Sequence, residues 1–334
     1  MTTRIIDFMG VGSPIIDSLA YISDDFLKTV KGAKGGMELV NSKKMKDIIE
    51  SLPQKADQAP GGSSANTIIG LANLNTRVSF LGKLGMDVSG EFYKEMFKSI
   101  GGRTEQFKFS EEEPSGSCIS LITPDSERTM RTNLGAAMTL SPDEISVNDF
   151  VDCKHVHVEG YLLFNRDLIL KVLKSAKVAE CTISLDLASF EVVEASKEIL
   201  PELLEKYVDI VFSNEEEAAA FVSSKDSYLA LDKLSKLCDI AVVKLGKKGA
   251  ILKRGDEKTS VKAHVMKPVD TTGAGDLWAT GFLYGLLNKC SLETCGKMAS
   301  ITSAEVVLVT GGSIPKKTWI NINNKLKVFL NDKQ

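Results

Sequence analysis

Several features that whole classes of function depend on are scarce or missing in this chain. It has only three histidines, and none is spaced with further ligands in the way a metal site requires. The six cysteines, Cys118, Cys153, Cys181, Cys238, Cys290 and Cys295, form no CxxC pair and read as reduced thiols, several of them core residues. No apolar run is long enough to span a bilayer. At the N-terminus, MTTRIIDFMGVG breaks its brief apolar run at Asp7, so the h-region and cleavage pattern of a signal peptide are missing and a cytoplasmic location is expected. Positive charge is not in excess: 41 Lys and Arg stand against 44 Asp and Glu, a net charge of −3. That balance excludes a nucleic-acid binder working through a broad basic surface, while leaving room for a local phosphate site. Internal repeats and low-complexity linkers are also missing.

What is present suits a folded α/β protein. The 334 residues, 43% hydrophobic and 25% charged, are enough for one large domain with a smaller appendage. In the second half, short apolar runs at 155–158, 182–187, 210–212 and 240–244 alternate with helical periodicity such as that of 168–178 and 228–237. This pattern predicts βαβ units and a mostly parallel, doubly wound sheet covered on both faces. The predicted strands end in Glu159, Asp186, Asn214 and Gly246, which should therefore line one crevice at the carboxyl edge of the sheet. The first half adds β-rich stretches at 5–11, 37–40, 77–81, 117–123 and 128–132. Some of these are expected to leave the main sheet as a small lid, drawn from about 12–42 and 112–134 of a single 1–334 domain.

The segment Asp270-Thr271-Thr272-Gly273-Ala274-Gly275-Asp276, followed by an apolar run, carries the most chemistry. A helix starting at these small residues would present unpaired N–H groups and a positive dipole end to an anion. Asp276 in its first turn would stand beside bound phosphate, where a carboxylate can accept a proton from an attacking hydroxyl. The same residues also fit a plain helix start with a favourable acid. No Gly-Lys-Ser/Thr follows, so this is not a Walker motif, and it lies too near the C-terminus for a dinucleotide fingerprint.

Together with Gly61-Gly62-Ser63-Ser64-Ala65-Asn66 and Gly82-Lys83-Leu84-Gly85, this segment resembles the two signatures of the ribokinase-like, or PfkB, carbohydrate and nucleoside kinases, adenosine kinase-like branch. The resemblance covers nearly the whole chain and implies the ribokinase-like fold, ATP and magnesium as cofactors, and a monovalent cation such as potassium. It gives Asp276 the role of base, with Gly273, Ala274 and Gly275 as anion hole and Arg128 as a lid arginine closing toward the phosphates. Arg131 is close enough to be confused with Arg128. Asp17, Gly61, Gly62, Asn66 and Glu159 fall on the acceptor side. On residues alone, Asp17 also reads as a cap or turn after the first strand, and Asn66 as a polar helix position.

Asn214, Lys244, Gly246 and Gly249 are implied on the nucleotide side, with Lys244 standing where many members have Thr. Glu217 is expected near magnesium through water, and Asp270 and Thr272 at the monovalent cation. The Asn214–Glu217 spacing equally approximates a helix capping box. Met86 and Leu277-Trp278 depart from the family pattern. The expected activity is phosphoryl transfer from ATP to a primary hydroxyl of an adenosine-like nucleoside or a sugar, with fructokinase or ribokinase activity as the sugar alternatives. The partners are small molecules rather than nucleic acid or membrane, and the expected state is a monomer or homodimer. A non-catalytic binding protein on the same fold is a rival that does not need Asp276, and an oxidoreductase would need the absent early fingerprint.

Overall fold

The computed structural model describes residues 4–331 apart from 31, 126 and 265. Residues 1–3 and 332–334, part of the single-domain reading, lie outside it. From β1 (Ile6–Val11) the chain passes through β2 (Ile15–Tyr21), α1 (Asp24–Thr29), β3 (Met37–Leu39), α2 (Ser42–Ser51) and β4 (Asp57–Gly61). It continues with α3 (Ser63–Asn73), β5 (Val78–Leu81), β6 (Lys83–Gly85), α4 (Val88–Ser99), β7 (Lys108–Ser110), β8 (Gly116–Ile122) and β9 (Arg128–Asn133). The regular alternation follows as β10 (Cys153–Glu159), α5 (Arg166–Val178), β11 (Thr182–Asp186), α6 (Phe190–Ser196), α7 (Leu200–Tyr207), β12 (Ile210–Asn214), α8 (Glu215–Val222), α9 (Ser227–Leu234) and β13 (Ile240–Lys244). A hairpin of β14 (Ala250–Arg254) and β15 (Glu257–Val261) leads to α10 (Ala274–Leu287), α11 (Leu292–Val306) and α12 (Lys316–Asn331).

The main sheet has eight strands in the order β15-β14-β13-β12-β11-β10-β1-β5. It is parallel from β5 to β13, with the antiparallel hairpin at its edge. Apolar side chains on both faces explain the continuous burial of β1 and β5. One face packs Val158, Ile183 and Val211 against helix residues such as Leu173, Leu204 and Leu231. The other packs Phe8, Phe80 and Phe212 against Ile68, Trp278 and Phe282. The strand order reverses between β1 and β10, and a doubly wound sheet opens its crevice at such a switch point.

A second sheet, β3-β9-β8-β2-β4, has one face with a core of its own and one partly open face of mixed character. Ala20, Ile119 and Leu121 pack on Leu27, Met45 and Ile48 of α1 and α2, giving this sheet its own small core. In β2, fully buried Ile16, Ser18 and Ala20 alternate with partly open Ile15, Asp17 and Leu19. The lid sheet takes in β4, outside the 12–42 and 112–134 expected for it, and Asp17 sits within a lid strand rather than in a turn after β1. Among the described residues no helix is long and apolar enough to cross a membrane.

Candidate active site

The amino end of α10 is the centre of the crevice. Its cap is Gly273 at φ +74, a left-handed conformation that a side chain resists, and no side chain caps the helix. Ala274 N–H turns back to Thr271 O at 3.2 Å, while the N–H groups of Gly275 and Asp276 meet no partner among the described residues. Asp276 is held from α3: Ser63 Oγ donates to Oδ1 at 3.0 Å and Asn66 Nδ2 to Oδ2 at 2.9 Å. Thr67 and Thr280 hydroxyls donate to its backbone carbonyl at 3.0 and 3.2 Å. Burial pushes the Asp276 carboxyl up to about 6, with the charge of Asp186 adding to it and the bonds from Asn66 and Ser63 opposing. The result is an oriented carboxylate, ionised at neutral pH yet more basic than usual.

Beneath this helix, Trp278 stacks on Phe282 at 5.4 Å and meets Phe212 edge-on, so the departure from pattern at Trp278 fills the floor under Asp276. The strands deliver a row of polar ends in which Glu159 pairs with Asp186 and Asn214 with Lys244. Lys244, rather than Gly246, ends β13, and Gly246 opens the 3-10 turn beyond it. Lys244 Nζ donates to Asp186 Oδ2 at 2.8 Å and would stand 3.1 Å from a Cβ placed on Gly275, so its charge lies beside the open amino end of α10. Burial alone would depress this ammonium, but Asp186, Glu217 and Asp276 outweigh it and raise its pKa.

Glu217 forms a reciprocal capping box with Asn214: it accepts from Asn214 N–H at 2.8 Å and from Nδ2 at 2.6 Å, while Asn214 Oδ1 accepts from Glu217 N–H. Burial and the nearby Asp186 charge push Glu217 up to about 7. Glu159 turns inward at the switch point, accepting from Ser13 N–H at 2.9 Å and from Ser64 Oγ at 3.3 Å, and burial pushes it up to about 7 as well. It ties the end of β1 to the start of α3.

Across the crevice Asp17 projects from the lid. A Cβ on Gly61 would collide with its carboxylate, and Gly62, at φ +109, starts α3 against the Ser13 carbonyl. Burial pushes Asp17 up to about 7 against the opposing pull of Arg128, with Asp276 raising it further. Asp17, Gly61, Gly62, Asn66 and Asp276 are therefore brought together. Gly249 is hemmed in by the backbone of Val261–Ala263, whereas Gly246 meets open space.

A family model, described as pfkB family carbohydrate kinase, matches residues 40–319. The chain belongs to this family. It is accordingly an ATP-dependent sugar or nucleoside kinase. A probable sugar kinase from Rhizobium etli is similar in structure with a TM-score of 0.85 and 30% identity, over 98% of this chain and all of the other. An adenosine kinase from Sinorhizobium meliloti is similar with a TM-score of 0.83 and 30% identity, over 96% of this chain and 99% of the other. A 5-dehydro-2-deoxygluconokinase from Clostridium botulinum is 29% identical over 80% of this chain and 84% of its own length.

The two lid arginines of the kinase separate by strand parity. Arg131 points into the lid, with 1% of its surface exposed, and bonds Met130 O at 2.8 Å. Arg128 lies on the opposite face of β9 and reaches Asp270, Thr272 Oγ1 at 2.5 Å and Ser120 Oγ at 2.9 Å. The oxygens expected to hold a monovalent cation thus hold a guanidinium.

Sequence reasoning missed Ser63 and Thr67, although their spacing of three or four residues from Asn66 or from each other places them on one face of α3's first turns. Asp186 was legible as a strand end, but not as the partner of Lys244. The segment after Gly85 is structural: Asp87 caps α4 and accepts from Ser115 Oγ at 2.7 Å and its N–H at 2.9 Å, steadying the approach to lid strand β8.

Proposed function

We propose that this kinase transfers the γ-phosphoryl group of MgATP to a primary hydroxyl of an adenosine-like nucleoside, with Asp276 as general base. The observation that carries this reading is the juxtaposition of an oriented carboxylate of raised basicity, two unpaired N–H groups at the start of α10 and a second carboxylate of raised pKa, Asp17, on the facing lid. Asp276 takes the hydroxyl proton as the oxygen forms its bond to phosphorus, and the bond to the β-phosphate oxygen breaks to release ADP. Gly275 and Asp276 N–H groups and the Lys244 ammonium receive the charge of the transferring group.

Asp17 is costly to ionise while it has only the lid around it. Two neighbouring acceptor hydroxyls donating to its oxygens would relieve that cost. Asn66 spends an amide hydrogen on Asp276 and keeps its carbonyl oxygen for the acceptor. Magnesium arrives as part of the nucleotide. Among the described residues no cluster of three or more His, Cys, Asp or Glu is arranged to hold a metal, so a water-mediated approach to Glu217 suits the donor set better than a protein cage.

A free-sugar acceptor is the second reading, favoured by the likeness to the probable sugar kinase and to the 5-dehydro-2-deoxygluconokinase. ADP formation and phosphorylated product, measured over a panel of nucleosides and sugars, separate the two. Adenosine-like nucleosides are expected to give the highest kcat/KM; a sugar ahead of every nucleoside moves the assignment to the second reading.

A further inference from the structure

The guanidinium of Arg128 is bonded as a bound cation would be. One of its terminal nitrogens contacts both Asp270 Oδ2 and Thr272 Oγ1, and the other contacts Ser120 Oγ. Asp270 is fixed from its other sides: Gly311 N–H donates to Oδ2 at 2.7 Å, and Thr272 donates to Oδ1 through its N–H at 3.0 Å and its hydroxyl at 2.9 Å. Burial pushes Asp270 up, but these donors and the charge of Arg128 outweigh it and hold the carboxyl below its usual range. The loop before α10 therefore carries a full negative charge that the lid neutralises. Arg128 Nε is buried with no partner among the described residues.

We propose that Arg128 is a built-in substitute for the monovalent cation that the family resemblance assigns to Asp270 and Thr272. Side-chain oxygens of both residues are occupied and a single positive charge is supplied, from a strand of the lid. A guanidinium suits this because its planar fork reaches three oxygens at once, and its charge cannot be lost by deprotonation. Two consequences follow for the chain. Its stability and turnover do not respond to potassium, and the cation reaches the anion loop only when the lid is seated. The unpaired Nε gives a ligand oxygen a donor to complete, since an unmatched buried donor is costly.

Thermal melting of the full chain in potassium chloride and in choline chloride at equal ionic strength tests this without reference to turnover. The parent protein is expected to melt within about 1 °C in the two salts, because a cation that cannot bind the folded state cannot shift its equilibrium. Arg128→Met should melt lower in choline and recover part of the loss in potassium. Arg128→Gln, neutral but still able to hydrogen-bond to Ser120, carries the same comparison if the Met variant does not fold. A potassium-specific rise in the parent overturns the proposal. An absence of any potassium effect in the variants also overturns it, leaving Arg128 as a lid tether. The proposal rests on the kinase reading only for its second arm, in which parental turnover stays within about twofold when choline replaces potassium; a chain with no kinase activity would fail that arm and leave the melting comparison intact.

Discussion

Carboxylates at the two ends of the eight-stranded sheet are in opposite electrostatic states. At the amino end, Asp7 accepts from Arg77 at 2.6 and 2.9 Å and from Lys154 at 2.8 Å. Burial would raise it, but these two cations hold it well below the usual range. At the carboxyl end, burial pushes Asp17, Glu159 and Glu217 up to about 7 and Asp276 up to about 6. The amino end also has a hollow of about 1020 Å³ lined by Asp7, Lys154, Lys177 and Asp209 among others. Its carboxylates Asp7 and Asp209 already have cationic partners, Asp209 meeting Lys177 at 2.7 Å. Raised carboxylate pKa values gather at the end where the proposed site lies, not around this hollow.

Replacing Asp276 should have the largest effect on that contrast. Asp276→Asn is expected to lower kcat by about 10²–10⁴, the range general-base catalysis contributes, with both KM values within about tenfold. Steady-state kinetics decide it, and near-parental turnover would remove Asp276 as base. Next comes Asp17→Ala, which should weaken the acceptor by about 1–3 kcal/mol per stranded hydroxyl and leave ATP affinity unchanged. A 2′,3′-dideoxy nucleoside should fail for the same reason. Separate affinity measurements for the two substrates check this, and an unaltered acceptor affinity would take Asp17 out of the site.

Acidity should have a graded effect. Asp276 must be ionised to accept a proton and Asp17 to accept two hydrogen bonds, and both pKa values are raised, so kcat/KM should begin to fall below about pH 7 and decline more steeply below about pH 6. A profile that stays flat to pH 5 would contradict the raised values.

The smallest change belongs to the amino end. Asp7→Asn should leave turnover untouched and cost about 1 kcal/mol of stability, because both partner cations stand half in water. A depressed carboxylate stabilises above its unfolded pKa and loses that contribution as pH falls through its folded one. The gap between parent and Asp7→Asn in denaturant melts should therefore be full at pH 7 and narrow toward pH 3. A kinetic defect in this variant would mean the two ends are coupled.

Much of this molecule could be read before it was folded. The parallel strands at 155–158, 182–187, 210–212 and 240–244 became β10–β13 with shifts of a residue or two, since continuous apolar runs flanked by helical periodicity have few other ways to be buried. The Asp270–Asp276 segment became the start of α10 for the same local reason: small residues ahead of an apolar helix leave its N–H groups open. β2 and β4 were less legible. Each gains its identity by pairing across the lid, as Asp17 pairs with Ala59 on one side and Cys118 on the other.

Sequence by itself determined the α/β class, the order of the strands' carboxyl ends and the presence of a helix start with open N–H groups, because these follow from local periodicity and local backbone chemistry. Tertiary structure alone decided which charges meet. Ser63 and Asn66 lie more than 200 positions from Asp276, Lys244 lies 58 from Asp186, and Arg128 lies 142 from Asp270. No local pattern encodes such separations. They are fixed by the register of the two sheets and by the packing of α3 against α10, which buries the carboxylates together and so sets their acidity.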